Sequence, residues 1–98
     1  MIRLLLPGHL QILAGTKPEV TLDLPENASI RDVIDRLEQQ YPALRGTIRD
    51  PGTGKRRPML RFFACERDIT HQPEDKPLPV EITRGESLLI LVGAIAGG

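Results

Sequence analysis

Apolar and polar positions alternate, cluster and break along this chain in a way that marks out its elements before any chemistry is considered. Ile2 to Leu6 is almost wholly apolar and reads as a first strand, central in a sheet, broken by Pro7-Gly8. His9 to Gly15 reads as a turn of helix or an irregular cover, with Leu10 and Leu13 spaced to face inward. Val20 to Leu24 alternates strictly and predicts a half-exposed strand ended by Pro25. The first two strands then form an antiparallel, hairpin-like pair.

Ser29 opens the one convincing helix. It is a good N-cap, and Asp32 supplies a weaker form of the capping-box acid. Ile30, Val33, Ile34, Leu37 and Tyr41 make one apolar stripe. Asp32 and Arg36 lie four residues apart on the solvated face, acid first, as a helical ion pair prefers. Pro42 disfavours helical geometry at Tyr41 and stops the helix there.

Asp50 to Pro58 is a turn-rich loop, Met59 to Ala64 a third strand, and Asp68-Ile69 a short fourth after a reversal at Cys65-Glu66-Arg67. Gln72 to Pro79 is a proline-rich connection. Leu78, Val80 and Ile82 alternate, and Arg84-Gly85-Glu86 turns the chain into a last strand, Leu88 to Val92. That final run carries no polar residue, the pattern of a strand buried on both faces. Two apolar strands at the ends of the chain, side by side, with one helix between flanking pairs, predict an α+β architecture. It is a β-grasp (ubiquitin-like) mixed sheet of four to five strands, with one main helix packed on one face. Residues 1–92 form that domain and 93–98 a flexible tail.

Composition narrows the function mainly by exclusion. Thirteen basic and thirteen acidic residues cancel, so no net field draws the chain to nucleic acid or to an anionic membrane. No apolar run is long enough to span a bilayer. The Met1–Pro7 opening lacks a small-residue cleavage site, so no secretory signal is expected. With a single cysteine, Cys65, the expected compartment is the cytoplasm.

Conventional active-site patterns are missing from the sequence. His9 and His71 are its two histidines, and neither Cys-x-x-Cys, His-x-x-x-His nor Gly-x-Ser-x-Gly occurs, so neither a metal site nor a triad is predicted. Gly52-Thr53-Gly54-Lys55 suggests a phosphate loop, but Arg49 stands where its first glycine belongs, and Arg56 follows the lysine. Lys55, Arg56 and Arg57 read as a solvated loop. Cys65 beside Arg67 could be an activated thiolate, but a partly buried structural cysteine is the favoured reading.

What remains is the terminus. Beyond Val92 the chain runs Gly93-Ala94-Ile95-Ala96-Gly97-Gly98, a nearly side-chain-free end on a core strand. A carboxylate becomes an acyl donor only after its oxygen is made a leaving group, as by adenylation. No nucleotide loop is present, so a partner must supply that site. From Gly93 onward the tail reaches at most about 20 Å when extended, enough to enter a partner while the globular body stays outside.

The segments Met1–Leu4, Leu10–Gly15, Ser29–Leu37 with Tyr41–Leu44, Arg67–Ile69, Arg84–Glu86 and Ala94–Gly98, in this order over nearly the full length, resemble the MoaD/ThiS-type sulfur carriers. The long Arg49–Pro58 loop and the Ala-Ile-Ala-Gly-Gly ending look most like the larger, cysteine-pathway members. The resemblance implies a carrier, not an enzyme, that holds no cofactor of its own. An adenylyltransferase related to the ubiquitin-activating enzymes, using ATP and Mg, forms an acyl-adenylate on Gly98. A sulfide or persulfide donor displaces AMP to leave a thiocarboxylate, and a client enzyme takes the sulfur for molybdopterin, thiamin thiazole, cysteine or another product. Gly98 is then the reactive residue, Gly97 gives passage, and Ala96, Ile95, Ala94 and Val92 are expected partner contacts.

The chain departs from the family pattern in two places. Cys65-Glu66 stands where members usually carry Asn-Gly, and Gly93 replaces the proline often found before the tail. Two other functions share these features. One is a ubiquitin-like modifier joined through Gly98 to lysines; the other is a non-catalytic β-grasp binding module, since a fold alone does not fix a function.

Overall fold

The computed structural model describes residues 1–93. Its elements in chain order are β1 (Ile2–Leu5), α1 (Gly8–Ala14), β2 (Glu19–Leu22), α2 (Ile30–Gln40), a 3-10 turn (Pro42–Leu44), β3 (Leu60–Ala64), β4 (Arg67–Asp68), α3 (Val80–Thr83) and β5 (Leu89–Gly93). They form one five-stranded mixed sheet in the order β2-β1-β5-β3-β4. β1 pairs antiparallel with β2 and parallel with β5, and β3 pairs antiparallel with both β5 and β4. The first and last strands thus lie side by side, as their shared apolar character predicts.

Parity along each strand determines what is buried. Ile2, Leu4, Val20, Leu22, Leu60, Phe62, Ala64, Leu89 and Leu91 point into one core, where they meet Ile30, Val33, Ile34 and Leu37 of α2. At roughly 1.5–3 kcal/mol for each fully buried large aliphatic or aromatic side chain, this core is the main stabilising term. The α2 N-terminus is closed by a reciprocal capping box. Ser29 Oγ accepts from the Asp32 N–H at 3.3 Å, and the Asp32 carboxylate accepts from the Ser29 N–H at 2.9 Å.

Several expectations need correction. The last strand is not buried on both faces: Ile90 is half-buried and Val92 exposed, because helices cover only one side of the sheet. On α1, Leu10 packs inward but Leu13 is 49% exposed and Ile12 85% exposed, since the short helix lies on the core by one edge. Leu78, Val80 and Ile82 alternate in exposure, but within a helical turn: in Val80–Thr83 Ile82 is buried and Val80 exposed, with Leu78 buried just before it. Asp32 and Arg36 form no ion pair among the described residues, the Asp32 carboxylate being used in the cap. Gly93, expected in the tail, is the last residue of β5, opposite Leu60.

Candidate functional site

β5 is the central strand, held on one side by β1 and on the other by β3. Its pairing with β3 continues to the Leu60–Gly93 step, so hydrogen bonding fixes the backbone up to the last described residue. The sequence-predicted site residues Ala94, Ile95, Ala96, Gly97 and Gly98 lie outside the described residues. Val92 is 43% exposed, directly across from Arg61 on the face of the sheet opposite α2.

That open face also holds a row of apolar side chains which inspection of the sequence missed. Leu5 pairs with Ile90, and Ile90 with Phe63, so half-buried side chains from β1, β5 and β3 stand abreast. Arg3 with Glu19 (3.5 Å) and Arg61 with Asp68 (3.0 Å) form ion pairs beside them. The signal was present as the outward parity of each strand. It is hidden because Leu5 and Ile90 sit in runs whose inward neighbours are equally apolar.

Gly93 itself is a packing position. A side chain there would begin 2.6 Å from His9 Cε1 and 3.1 Å from Leu60 Cδ2. His9 projects from the first turn of α1, so helix and tail exit are in direct contact. Both neighbours are side-chain tips, so a methyl at 93 requires the exposed His9 ring to swing aside and Leu60 to give by a few tenths of an ångström.

Cys65 and Glu66 form the two-residue β3–β4 turn with φ of 51° and 66°, the left-handed pair that a type I′ hairpin requires and that Asn-Gly supplies most easily. The thiol is exposed, not partly buried and structural. Its pKa is raised, first by partial desolvation and then by the Glu81 carboxylate, which accepts from Sγ at 3.6 Å; Arg67 opposes this too weakly to reverse it. Cys65 is therefore not an activated thiolate.

The basic trio is not simply solvated. Arg56 donates to the Thr70 carbonyl, pairs through Nε with Glu74 at 3.3 Å, and lies 5.6 Å from the Phe62 ring centre. Its Nη1 is buried with no acceptor among the described residues. Arg57 donates from Nε and Nη2 to the Gly46 carbonyl. Lys55 and Arg57 are exposed, as a solvated loop predicts, whereas Arg56 is half-buried. Two of the three cations thus brace the loop. Among the described residues no cluster of histidine, cysteine and acidic side chains is suited to a metal, and no helix is long and apolar enough to cross a membrane.

No protein-family model matches this sequence, and no curated relative matches it. Solved structures do match over the whole length. SAMP1 from Haloferax volcanii is 20% identical, with 99% of this chain and 98% of that chain covered and a TM-score of 0.76. A chain of the BexX/CysO complex of Amycolatopsis orientalis is 15% identical, with 100% of both chains covered and a TM-score of 0.76. CysO from Mycobacterium tuberculosis is 16% identical, with 97% of this chain and 100% of that chain covered and a TM-score of 0.74. At such identities the likeness establishes the fold: this is a β-grasp, ubiquitin-like chain. The resemblance to MoaD/ThiS-type carriers with a cysteine-pathway leaning is matched, at the level of fold, by structures of CysO.

Proposed function

We propose that this protein is a sulfur carrier, acting as a substrate and not as a catalyst. Its Gly98 carboxylate is adenylated by a partner adenylyltransferase that brings ATP and Mg, and AMP is then displaced by sulfide to give the thiocarboxylate directly, or by a persulfide donor to give an acyl disulfide that a second thiol cleaves to the thiocarboxylate. A client enzyme takes the sulfur for cofactor, thiamin or cysteine synthesis. The observation that carries this reading is the join between a central, doubly paired strand ending at Gly93 and a sequence that continues Ala-Ile-Ala-Gly-Gly. The sequence that follows this strand is poor in side chains, and such an end passes a narrow channel that larger side chains would block. The full-length likeness to CysO, which was solved in complex with BexX, supports both the role and the expectation of a protein partner. The open face with Leu5, Phe63, Ile90 and Val92 gives that partner an apolar surface beside the tail.

A second reading is favoured by one finding. Three matching structures are of small archaeal modifier protein 1 (SAMP1), two from Haloferax volcanii and one from Methanosarcina acetivorans. The activated Gly98 would then be attacked by lysine amines in place of sulfur. Tagged full-length chain and a variant lacking Gly98, expressed in the native host, separate these readings. Lysine conjugates that vanish with Gly98 would establish the modifier; a thiocarboxylate without conjugates would establish the carrier. Partner binding that survives loss of Gly98, with neither product formed, would leave a binding module.

A further inference from the structure

The loop before β3 and the segment after β4 enclose a cavity of about 470 Å³, within the roughly 300–1,000 Å³ range of small-molecule sites, and the carrier reading makes no use of it. Its lining holds Lys55, Arg56, Arg57 and His71 against one carboxylate, Glu74. Three cations facing one anion leave a positive surplus, in a chain whose basic and acidic residues otherwise cancel. Asp50, which approaches Arg57 at 3.9 Å, lies outside the lining. The two arginines are held by named bonds. Arg56 crosses from one wall to the other, donating to the Thr70 carbonyl and pairing with Glu74 at 3.3 Å. Arg57 donates to the Gly46 carbonyl at 3.0 and 2.8 Å. Arg56 Nη1 is buried without an acceptor among the described residues, although a buried N–H nearly always has one. Backbone donors do not contribute. The N–H groups of Gly52 and Thr53 donate to the Asp50 carboxylate, that of Gly54 to the Asp50 carbonyl, and that of Lys55 to Thr53 Oγ1. An anion in this cavity therefore has to be held by side chains, with Pro58 and Leu60 as its apolar neighbours.

We propose that this cavity binds a small phosphorylated molecule. Lys55, Arg56 and Arg57 neutralise its phosphoryl group, and Pro58 and Leu60 take its organic part. Arginine and lysine are the side chains that recognise phosphate, the first by paired N–H donors and the second as a point charge. The surplus charge is confined to the concavity, because the adjoining cations are already paired: Arg49 with Asp35 and Glu38, and Arg61 with Asp68. A small ligand fits such a site better than the extended basic face that an acidic protein or a nucleic acid would need. The proposal requires no chemistry at Gly98 and is independent of the carrier reading.

The test is a titration of the intact 98-residue chain with phenyl phosphate and with inorganic phosphate, each compared with sodium chloride at equal ionic strength and followed by 15N-resolved amide shifts. Both phosphates should give saturable shifts at Thr53, Gly54, Lys55, Thr70 and His71. Phenyl phosphate should bind roughly tenfold more tightly, because its ring leaves water against Pro58 and Leu60. Lys55→Gln should weaken binding roughly threefold, the share of one exposed charge, with Tm unchanged. Glu74→Gln removes the one carboxylate of the lining and should tighten binding by a similar factor, roughly threefold, which a purely structural Arg56–Glu74 pair would not do. Arg56→Gln should abolish saturation. Thermal unfolding reports whether that variant keeps its fold, and if it does not, Lys55→Gln and Glu74→Gln decide the matter. Shifts no larger than those in chloride, unchanged affinity in Lys55→Gln, or weaker binding in Glu74→Gln would overturn the proposal. Phenyl phosphate no tighter than inorganic phosphate would overturn the assignment of an organic ligand. Displacement of phenyl phosphate by an equal concentration of a polyglutamate peptide would overturn the small-molecule assignment in favour of an acidic protein partner.

Discussion

Arg3 Nε donates to the Gly85 carbonyl at 2.9 Å, tying the first strand to the turn that launches the last one. The Met1 ammonium adds a contact to the Thr83 carbonyl at 3.3 Å. These bonds hold the start of the chain against the α3–β5 turn, next to the parallel β1–β5 pairing. Gly85 makes the geometry possible. Its φ is 77°, and a Cβ would sit 2.8 Å from the Met1 carbonyl oxygen.

Gly85→Ala should therefore be among the costliest single-atom additions in the chain. Left-handed strain costs about 1–3 kcal/mol, and the backbone clash with Met1 adds to it. A urea titration checks this: the midpoint should fall sharply with little change in m. An unchanged midpoint would mean that the turn relaxes freely and does not anchor β1.

The hairpin at Cys65-Glu66 should respond in the opposite direction. Both residues hold a positive φ that Asn and Gly adopt with less strain. Cys65→Asn/Glu66→Gly should raise Tm by roughly 4–8 °C. Thermal unfolding followed by circular dichroism decides it, and a lower Tm would show that the Cys65–Glu81 contact outweighs the backbone strain.

Much of this fold was legible in the sequence, and the exceptions share a cause. The Ser29–Asp32 cap, the Ile30–Leu37 stripe and the β1–β5 core runs depend on local periodicity and hydrophobicity, which a sequence displays directly. Leu13 and Val92 differ from expectation because their exposure depends on which side of the sheet the helices cover. Arg56 was misjudged because its acceptors, Thr70 and Glu74, are distant in sequence. The site divided in the same way. The glycine-rich end is displayed by the sequence itself, whereas the placing of His9 near Gly93 and the Leu5–Ile90–Phe63 row depend on strand register.

Acid should weaken the β3–β4 end of the sheet. The Asp68 carboxylate accepts from the Thr70 hydroxyl and N–H and from Arg61, which lowers its pKa from 3.8 to about 2. Asp50 is lowered as well, by the N–H groups of Thr53 and Gly52. With a depressed folded pKa, the stabilisation is complete above the unfolded value and is lost as pH falls through the folded one. Urea midpoints should thus decline between about pH 4 and pH 2. Asp68→Asn should flatten that decline, and an identical pH profile in the variant would refute the assignment.

The central claim is tested most directly by intact mass spectrometry of the chain after incubation with ATP, magnesium, an adenylyltransferase and a sulfur donor. The account predicts a mass gain equal to one oxygen replaced by sulfur, localised to Gly98 and absent when ATP is withheld. No gain with any of several activating enzymes that thiocarboxylate their own carriers would contradict it, and the β-grasp body would then be a binding module whose terminal glycines carry no chemistry.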